Sequence, residues 1–247
     1  AISKLITYTP ANVGTDRPAI QGDVVVFDIA SGARRLVLDG PTVTARRTAA
    51  VSLLAAQTLA PNPQGPLLIV GAGVQGRAHL EAFVAGLGVR KARIASRSTR
   101  SAKALAEHAR TLGVHAEVVD DPDAALTDCP LVVTCTPASG VVLRAQPRPD
   151  AFIAAVGAFT PKMVELAPQL CRDIATQGRV VVDTRDADHE AGDLLQAGVE
   201  VTRLATLQDV LRAHQDKPID KRGPVLFKNC GWAGWDLAAA RLALRGQ

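Results

Sequence analysis

The chain has 247 residues, 47% hydrophobic and 21% charged, with 28 basic and 24 acidic side chains for a net charge of +4. This is enough for one large globular domain or two small ones, and the scattered charge offers no stripe for nucleic acid. No apolar run approaches the ~20 residues of a membrane span or follows a basic segment as a secretory signal would.

Residues 1–40 have an antiparallel pattern. The chain opens in strand-like alternation, Ala1-Ile2-Ser3-Lys4-Leu5-Ile6, without an initiator Met, so a preceding segment is expected. Residues 3–9 and 23–29 are β-rich, and Ser31-Gly32 turns the chain into a third run at 35–38. Residues 41–60 predict a helix, with Pro41 at its start and an apolar stripe of Ala49, Ala50, Leu53, Leu54, Ala56 and Leu59. The breaker cluster Pro61-Asn62-Pro63-Gln64-Gly65-Pro66 follows and marks a domain boundary.

From there strands and helices alternate. Strands are expected at 67–70, 93–95, 116–119, 131–135, 152–156 and 179–182, and helices at 75–87, 98–112 and 122–126. Such alternation predicts an α/β protein with a doubly wound parallel sheet of the Rossmann type. A strand at 225–227 and a helix at 233–244 close the chain and are expected to return to the first domain. The expected organisation is an α+β domain formed by both chain ends, 1–62 with 224–247, beside a dinucleotide-binding domain at 63–223.

The strand at 67–70 runs into Gly71-Ala72-Gly73-Val74-Gln75-Gly76, a complete G-x-G-x-x-G, and then into helical spacing. Gly71 permits the tight turn, Gly73 lets backbone approach a pyrophosphate, and Gly76 lets helix and strand pack closely. The amides and dipole of the new helix then face the phosphates. Strand, motif and helix in this order predict dinucleotide binding.

The second strand ends Ala95-Ser96-Arg97-Ser98-Thr99-Arg100, with no carboxylate for a ribose 2′-OH. Arg97 suits a 2′-phosphate or the adenine face, and Ser96 and Ser98 can donate hydrogen bonds to that phosphate. NADP(H) is therefore the preferred cofactor, with NAD(H) as the alternative.

Cys129, Cys135, Cys171 and Cys230 have no C-x-x-C spacing, and no Cys/His cluster suggests a zinc site. Reduced, packed thiols in a cytoplasmic protein are expected. His79 falls on the helix after the glycines, in a structural place or near the phosphates. Asp183 follows a strand and is a candidate for either a helix cap or a place near the cofactor.

Taken together, these residues make the chain similar to the ornithine cyclodeaminase/μ-crystallin family. The similarity is carried by Ser3-Lys4-Leu5, Leu38-Asp39-Gly40, Thr44-Ala45-Arg46-Arg47-Thr48, the glycine motif, Ala155-Val156-Gly157-Ala158, Glu165-Leu166, Glu190-Ala191-Gly192-Asp193-Leu194 and Phe227-Lys228-Asn229-Cys230-Gly231. The resemblance implies a homodimer that acts on small amino or cyclic imino acids with a bound nicotinamide cofactor. It places Lys4 and Arg47 on the substrate carboxylate and Thr48 near the cofactor. It sets Lys228 and Gly231 beside the nicotinamide. Thr134, Cys135 and Thr136, with Val156, Gly157 and Ala158, follow the expected cofactor path at the ends of two strands.

One departure narrows the activity. Cyclodeaminases of this family carry an aspartate two residues after the glycine matching Gly157, where this chain has Phe159 followed by Thr160. A phenyl ring neither transfers a proton nor pairs with an ammonium group. Phe159-Thr160-Pro161 and the ending Gly231-Trp232-Ala233-Gly234-Trp235-Asp236-Leu237 look like the branch that reduces Δ1-pyrroline-2-carboxylate and Δ1-piperideine-2-carboxylate to proline and pipecolate. On this reading Phe159 and Thr160 line the substrate, and Lys4 supplies the proton directly or through water. The alternatives are an ornithine cyclodeaminase, an alanine dehydrogenase-like enzyme, and an NADPH-binding protein of the μ-crystallin type without turnover.

Overall fold

The computed structural model describes residues 1–12, 15, 17–137, 139–215 and 218–246. It consists of two compact units, Ala1–Thr48 with Trp232–Gln247, and Ala49–Gly231.

In the first unit, β1 (Ile2–Tyr8), β2 (Ile20–Phe27) and β3 (Arg34–Asp39) form an antiparallel sheet in that order. The period of two sets one face inward: Lys4 pairs with Val24, which pairs with Leu38. Gly22 sits opposite Ile6 with φ +136°, and a Cβ there would lie 1.9 Å from the Leu5 carbonyl oxygen. Glycine is thus required for the strands to approach. Helix α1 (Gly40–Leu59) follows β3 directly, with the Asp39 carboxylate accepting from the Thr42 N–H at 2.8 Å.

The second unit continues with β4 (Leu67–Val70), α2 (Val74–Leu87), β5 (Lys91–Ala95), α3 (Thr99–Thr111), β6 (His115–Val118), α4 (Pro122–Leu126) and β7 (Leu131–Thr134). Then come β8 (Ser139–Leu143), β9 (Phe152–Ala155), β10 (Val164–Leu166), α5 (Pro168–Gln177) and β11 (Arg179–Val182). The short α6 (Ala187–Glu190), α7 (Gly192–Gln196), β12 (Ala205–Thr206), α8 (Leu207–Ala213) and β13 (Val225–Lys228) complete it. Helix α9 (Ala233–Arg245) belongs to the first unit.

Eight parallel strands form the main sheet in the order β12-β11-β13-β9-β7-β4-β5-β6, and β8 pairs with β10 separately. Its central strands are short apolar runs, and every residue of β4, β7, β9 and β13 is buried. Burying each such aliphatic side chain contributes about 1.5–3 kcal/mol. Large aromatics are few, and Phe152 and Phe227 stack with ring centroids 6.5 Å apart.

The expected Rossmann-type sheet is present, but both expected domain boundaries shift. Val225–Lys228 does not return to the first domain. It lies between β11 and β9 in the main sheet. An all-apolar Val225-Leu226-Phe227 needs cover on both faces, which a central strand provides. The first division falls inside α1, between Thr48 and Ala49, rather than at the proline cluster.

Candidate functional site

The glycine turn after β4 has the geometry its sequence predicts. Gly71 has φ +115°, and a Cβ there would lie 2.6 Å from the Cys135 carbonyl oxygen. At Gly76 a Cβ would lie 2.0 Å from the Gly71 carbonyl oxygen, so helix and turn are in backbone contact. Gly73 differs: nothing lies within 4 Å of its Cβ position. It is also the N-cap of α2 and provides no side-chain cap bond. The first amides of a 14-residue helix therefore face open space, with Val74 71% exposed beside them. This is a cradle that a pyrophosphate fits.

One strand over, Ser96 Oγ accepts from the Ser98 N–H at 3.3 Å. Ser98 caps α3, accepting from the Ser101 N–H at 3.2 Å, and as an acceptor it keeps its own O–H to donate. Arg97 and Arg100 are exposed, and residues 96–101 contain no carboxylate.

A set of buried charges lies on the other side of β4. Glu165 is completely buried. One of its oxygens accepts from the Thr136 N–H (2.6 Å) and hydroxyl (2.8 Å), the other from the Thr134 hydroxyl (2.9 Å) and the Gly157 N–H (2.7 Å). Four donors fill the acceptor sites of a carboxylate. Gly157 must be glycine here, since a Cβ would lie 2.4 Å from Glu165 Oε1. Asp193, also fully buried, accepts from the Glu165 and Leu166 N–H groups at 2.6 and 2.9 Å. Its second oxygen pairs with Lys228 Nζ at 2.9 Å, and Lys228 also donates to the Ala155 carbonyl at 3.3 Å. Burial pushes the Glu165 pKa up, against Lys228 and the Thr136 bonds. Burial is the largest single influence and works against the Lys228 charge, but Asp193, Cys230 and Glu165 together outweigh it and the pKa rises.

This arrangement shows where the residues expected along the cofactor path lie. Lys228 is 0% exposed and its ammonium is bonded to Asp193 and to the Ala155 carbonyl. Thr134 is likewise 0% exposed and its hydroxyl serves Glu165. Val156 and Ala158 are buried core residues, and the Gly157 N–H is held by Glu165. Phe159 is 46% exposed and Thr160 half-buried. The Cys135 thiol donates to the Gly71 carbonyl at 3.2 Å and burial raises its pKa well above normal. Burial likewise pushes Cys171 and Cys230 up to about 12, as packed, inert thiols should be. Asp183 accepts from the Cys230 and Gly231 N–H groups, at 3.1 and 2.7 Å. Gly231 has φ +104°, which favours glycine at this turn.

His79 is structural. Its Nδ1 faces the Gln75 carbonyl at 2.8 Å and must carry the proton, so Nε2 accepts from the Ser52 hydroxyl at 3.0 Å. Asn229 donates to the same hydroxyl oxygen at 3.0 Å. Complete burial drives the His79 pKa down to about 4, opposed by the Gln75 bond.

In the first unit, Lys4 and Arg47 both reach Asp236, a residue the sequence alone did not single out. Lys4 Nζ donates to Asp236 Oδ1 at 2.9 Å and to Thr44 Oγ1 at 2.8 Å, leaving a third donor. Arg47 Nε lies 3.2 Å from the same Asp236 oxygen, an ion-pair distance off the hydrogen-bond direction. Among the described residues, the buried Arg47 Nε and Nη1 thus have no hydrogen-bond acceptor. Two cations share one carboxylate, and the cluster carries one net positive charge. Asp236 had a sequence signal, an acid on the otherwise apolar Trp235-Asp236-Leu237-Ala238 run of α9. Thr48, one residue on from Arg47, is buried. Trp232 and Trp235 pack edge to face with centroids 5.3 Å apart.

Residues 1–244 match the model of the ornithine cyclodeaminase/mu-crystallin family. The chain is 41% identical over 246 residues to Δ1-pyrroline-2-carboxylate reductase 1 of Burkholderia multivorans, a match covering 98% of this chain and 76% of the relative. It is 37% identical over 243 residues to the Δ1-pyrroline-2-carboxylate/Δ1-piperideine-2-carboxylate reductase of Azospirillum brasilense, covering 98% and 76%. Among solved structures, the Δ1-pyrroline-2-carboxylate reductase of Thermococcus litoralis in complex with NADH and L-proline superposes with a TM-score of 0.88. It is 25% identical, and the match covers 98% of this chain and 76% of that one.

Proposed function

Because the chain belongs to the ornithine cyclodeaminase/mu-crystallin family, we propose that it is a nicotinamide-dependent oxidoreductase that reduces cyclic ketimines bearing a carboxylate. Its substrates are Δ1-pyrroline-2-carboxylate and Δ1-piperideine-2-carboxylate, and its products proline and pipecolate. The observation that carries this reading is Arg47, whose buried Nε and Nη1 have no hydrogen-bond acceptor among the described residues, beside Lys4 and Asp236. A monocarboxylate supplies the acceptor those donors lack and neutralises the cluster's remaining charge.

The nicotinamide cofactor, when bound, supplies a hydride from its C4 to the imine carbon. The protein's residues do the rest. The Gly71–Gly76 turn and the α2 amides hold the pyrophosphate, and Thr136 and the 156–158 turn support the nicotinamide half. Arg47 and Lys4 hold the carboxylate and so orient the adjacent imine carbon. Lys4 provides the proton that the ring nitrogen gains, directly or through one water. Phe159 and Thr160 are assigned to the substrate on the strength of the family resemblance. No acid stands at 159 to meet a side-chain ammonium, which sets this site apart from ornithine cyclodeamination.

The cofactor we assign is NADPH in preference to NADH, supported by exposed Arg97 and the acid-free 96–101 segment. Dimerisation is assigned to the first unit, where Leu5, Val37 and Leu242 are exposed apolar side chains. The free thiols fit a cytoplasmic protein, and no helix among the described residues is long and apolar enough to cross a membrane.

The test is coenzyme oxidation with a substrate panel, NADPH and NADH in parallel. Faster turnover of either ketimine with NADPH is the expected result. Turnover confined to pyruvate plus ammonia, or ammonia release from ornithine, would overturn it.

A further inference from the structure

Glu165, Asp193 and Lys228 form a fully buried set of charges that the proposed chemistry leaves unused. Two carboxylates against one ammonium leave one net negative charge. Its position follows from its partners. Glu165 is bonded to Thr134, the last residue of β7, to Thr136 two residues on, and to Gly157, two residues past β9. Lys228 is the last residue of β13 and reaches Ala155, the last of β9. The set therefore lies under the carboxyl ends of three adjacent strands.

In the order β6-β5-β4-β7-β9-β13, the chain reverses direction beside β4. A dinucleotide lying across that point has its phosphates on the β4 turn, its adenosine over β5 and its other half over β7 and β9. The turns that Glu165 ties together are therefore those beneath the nicotinamide ring. The ring is neutral in the reduced cofactor and positive once the hydride has left. A buried negative charge at short range favours the second state.

We propose that Glu165 is an electrostatic positioning residue: it ties the β7 and β9 turns together, and the net negative charge it shares with Asp193 and Lys228 favours the oxidised form of the bound nicotinamide. The inference rests on the cofactor reading above and adds a charge-specific role to it.

The experiment compares dissociation constants for NADP⁺ and NADPH, measured by calorimetry and coenzyme fluorescence, in wild type, Glu165→Gln, Glu165→Asp and Asp193→Asn. Circular dichroism confirms folding of each. Glu165→Gln removes the charge and is expected to weaken NADP⁺ relative to NADPH by about tenfold. Glu165→Asp keeps the charge and loses geometry, so both affinities fall together with the ratio unchanged. Asp193→Asn keeps an oxygen for the Glu165 and Leu166 N–H groups and removes a charge from the same set. It therefore shifts the ratio in the same direction, and it provides the reading if Glu165→Gln does not fold. Wild-type ratios in the folded charge-removing variants would overturn the inference alone. So would a wild-type protein that prefers NADPH by about a hundredfold or more. A wild-type protein that binds neither nucleotide would instead remove the cofactor reading, and this inference with it.

Discussion

Lys4 and Asp236 stand 232 positions apart in the chain and 2.9 Å apart in space. Their pairing, with Arg47 on the same carboxylate oxygen, gathers two cations around one anion and leaves a single net positive charge, where we propose the substrate carboxylate binds. Arg47→Ala is expected to raise KM for the ketimine about 100-fold, near 3 kcal/mol for charged hydrogen bonds to a carboxylate. The expected change in kcat is smaller. Arg47→Lys recovers only part of this, because an ammonium lacks the planar fork. Asp236→Ala leaves two partly buried cations without a counter-ion and is expected to cost up to about 3 kcal/mol in urea unfolding. Steady-state kinetics and denaturation curves check the two arms separately.

The two inner glycines of the turn fail in different ways. A Cβ at Gly76 collides with the Gly71 carbonyl oxygen at 2.0 Å, so Gly76→Ala lowers the melting temperature. A Cβ at Gly73 meets no protein atom within 4 Å, so Gly73→Ala folds normally and loses nucleotide affinity. Thermal melts with and without NADPH separate the two. Equal destabilisation by both would contradict the open face at Gly73.

His79 makes stability depend on pH in a direction that its burial sets. Its pKa falls from 6.5 to about 4 on folding, so between those values the unfolded chain binds the extra proton. Stability from this group is present above 6.5 and lost as pH falls towards 4, about 3 kcal/mol in all and about 2 kcal/mol by pH 5. Glu165, with a raised pKa, acts in the opposite sense, so the comparison needs a variant. His79→Asn is expected to show a shallower loss than wild type between about pH 7.5 and 5 in urea titrations. Parallel curves would contradict a neutral, buried His79.

Lys228 is read as a structural cation rather than a cofactor contact, which has a consequence for its removal. Lys228→Met leaves Asp193 and Glu165 buried without their counter-ion and is expected to cost about 3–5 kcal/mol in chemical denaturation. A variant with wild-type stability and a specific loss of nucleotide affinity would restore the cofactor role.

What the sequence made legible was local. Leu67–Val70 and the glycines after it constrain one another over ten residues, so strand, turn and helix are readable together. Lys4 and Arg47 were found through family resemblance, since each alone reads as a surface cation. Asp236 was missed because its partners are remote in sequence. The place of Val225–Lys228 in the sheet was missed because strand order is decided by pairing, which a four-residue apolar run does not encode. Glu165-Leu166 and Gly192-Asp193-Leu194 carried the resemblance without a role in the chemistry. Only the fold shows that Asp193 holds the Glu165 backbone while Glu165 holds Thr136 and Gly157.

The central claim is hydride transfer to the carbon beside a carboxylate held by Arg47 and Lys4. The most direct measurement uses NADPH deuterated at C4 of the nicotinamide with Δ1-pyrroline-2-carboxylate, followed by mass spectrometry of the product. Both C4 epimers of the labelled coenzyme are tested. The account predicts proline carrying one deuterium, at the carbon that bears the carboxylate, from one epimer. Unlabelled proline from both, or no proline while NADPH is bound, would contradict it.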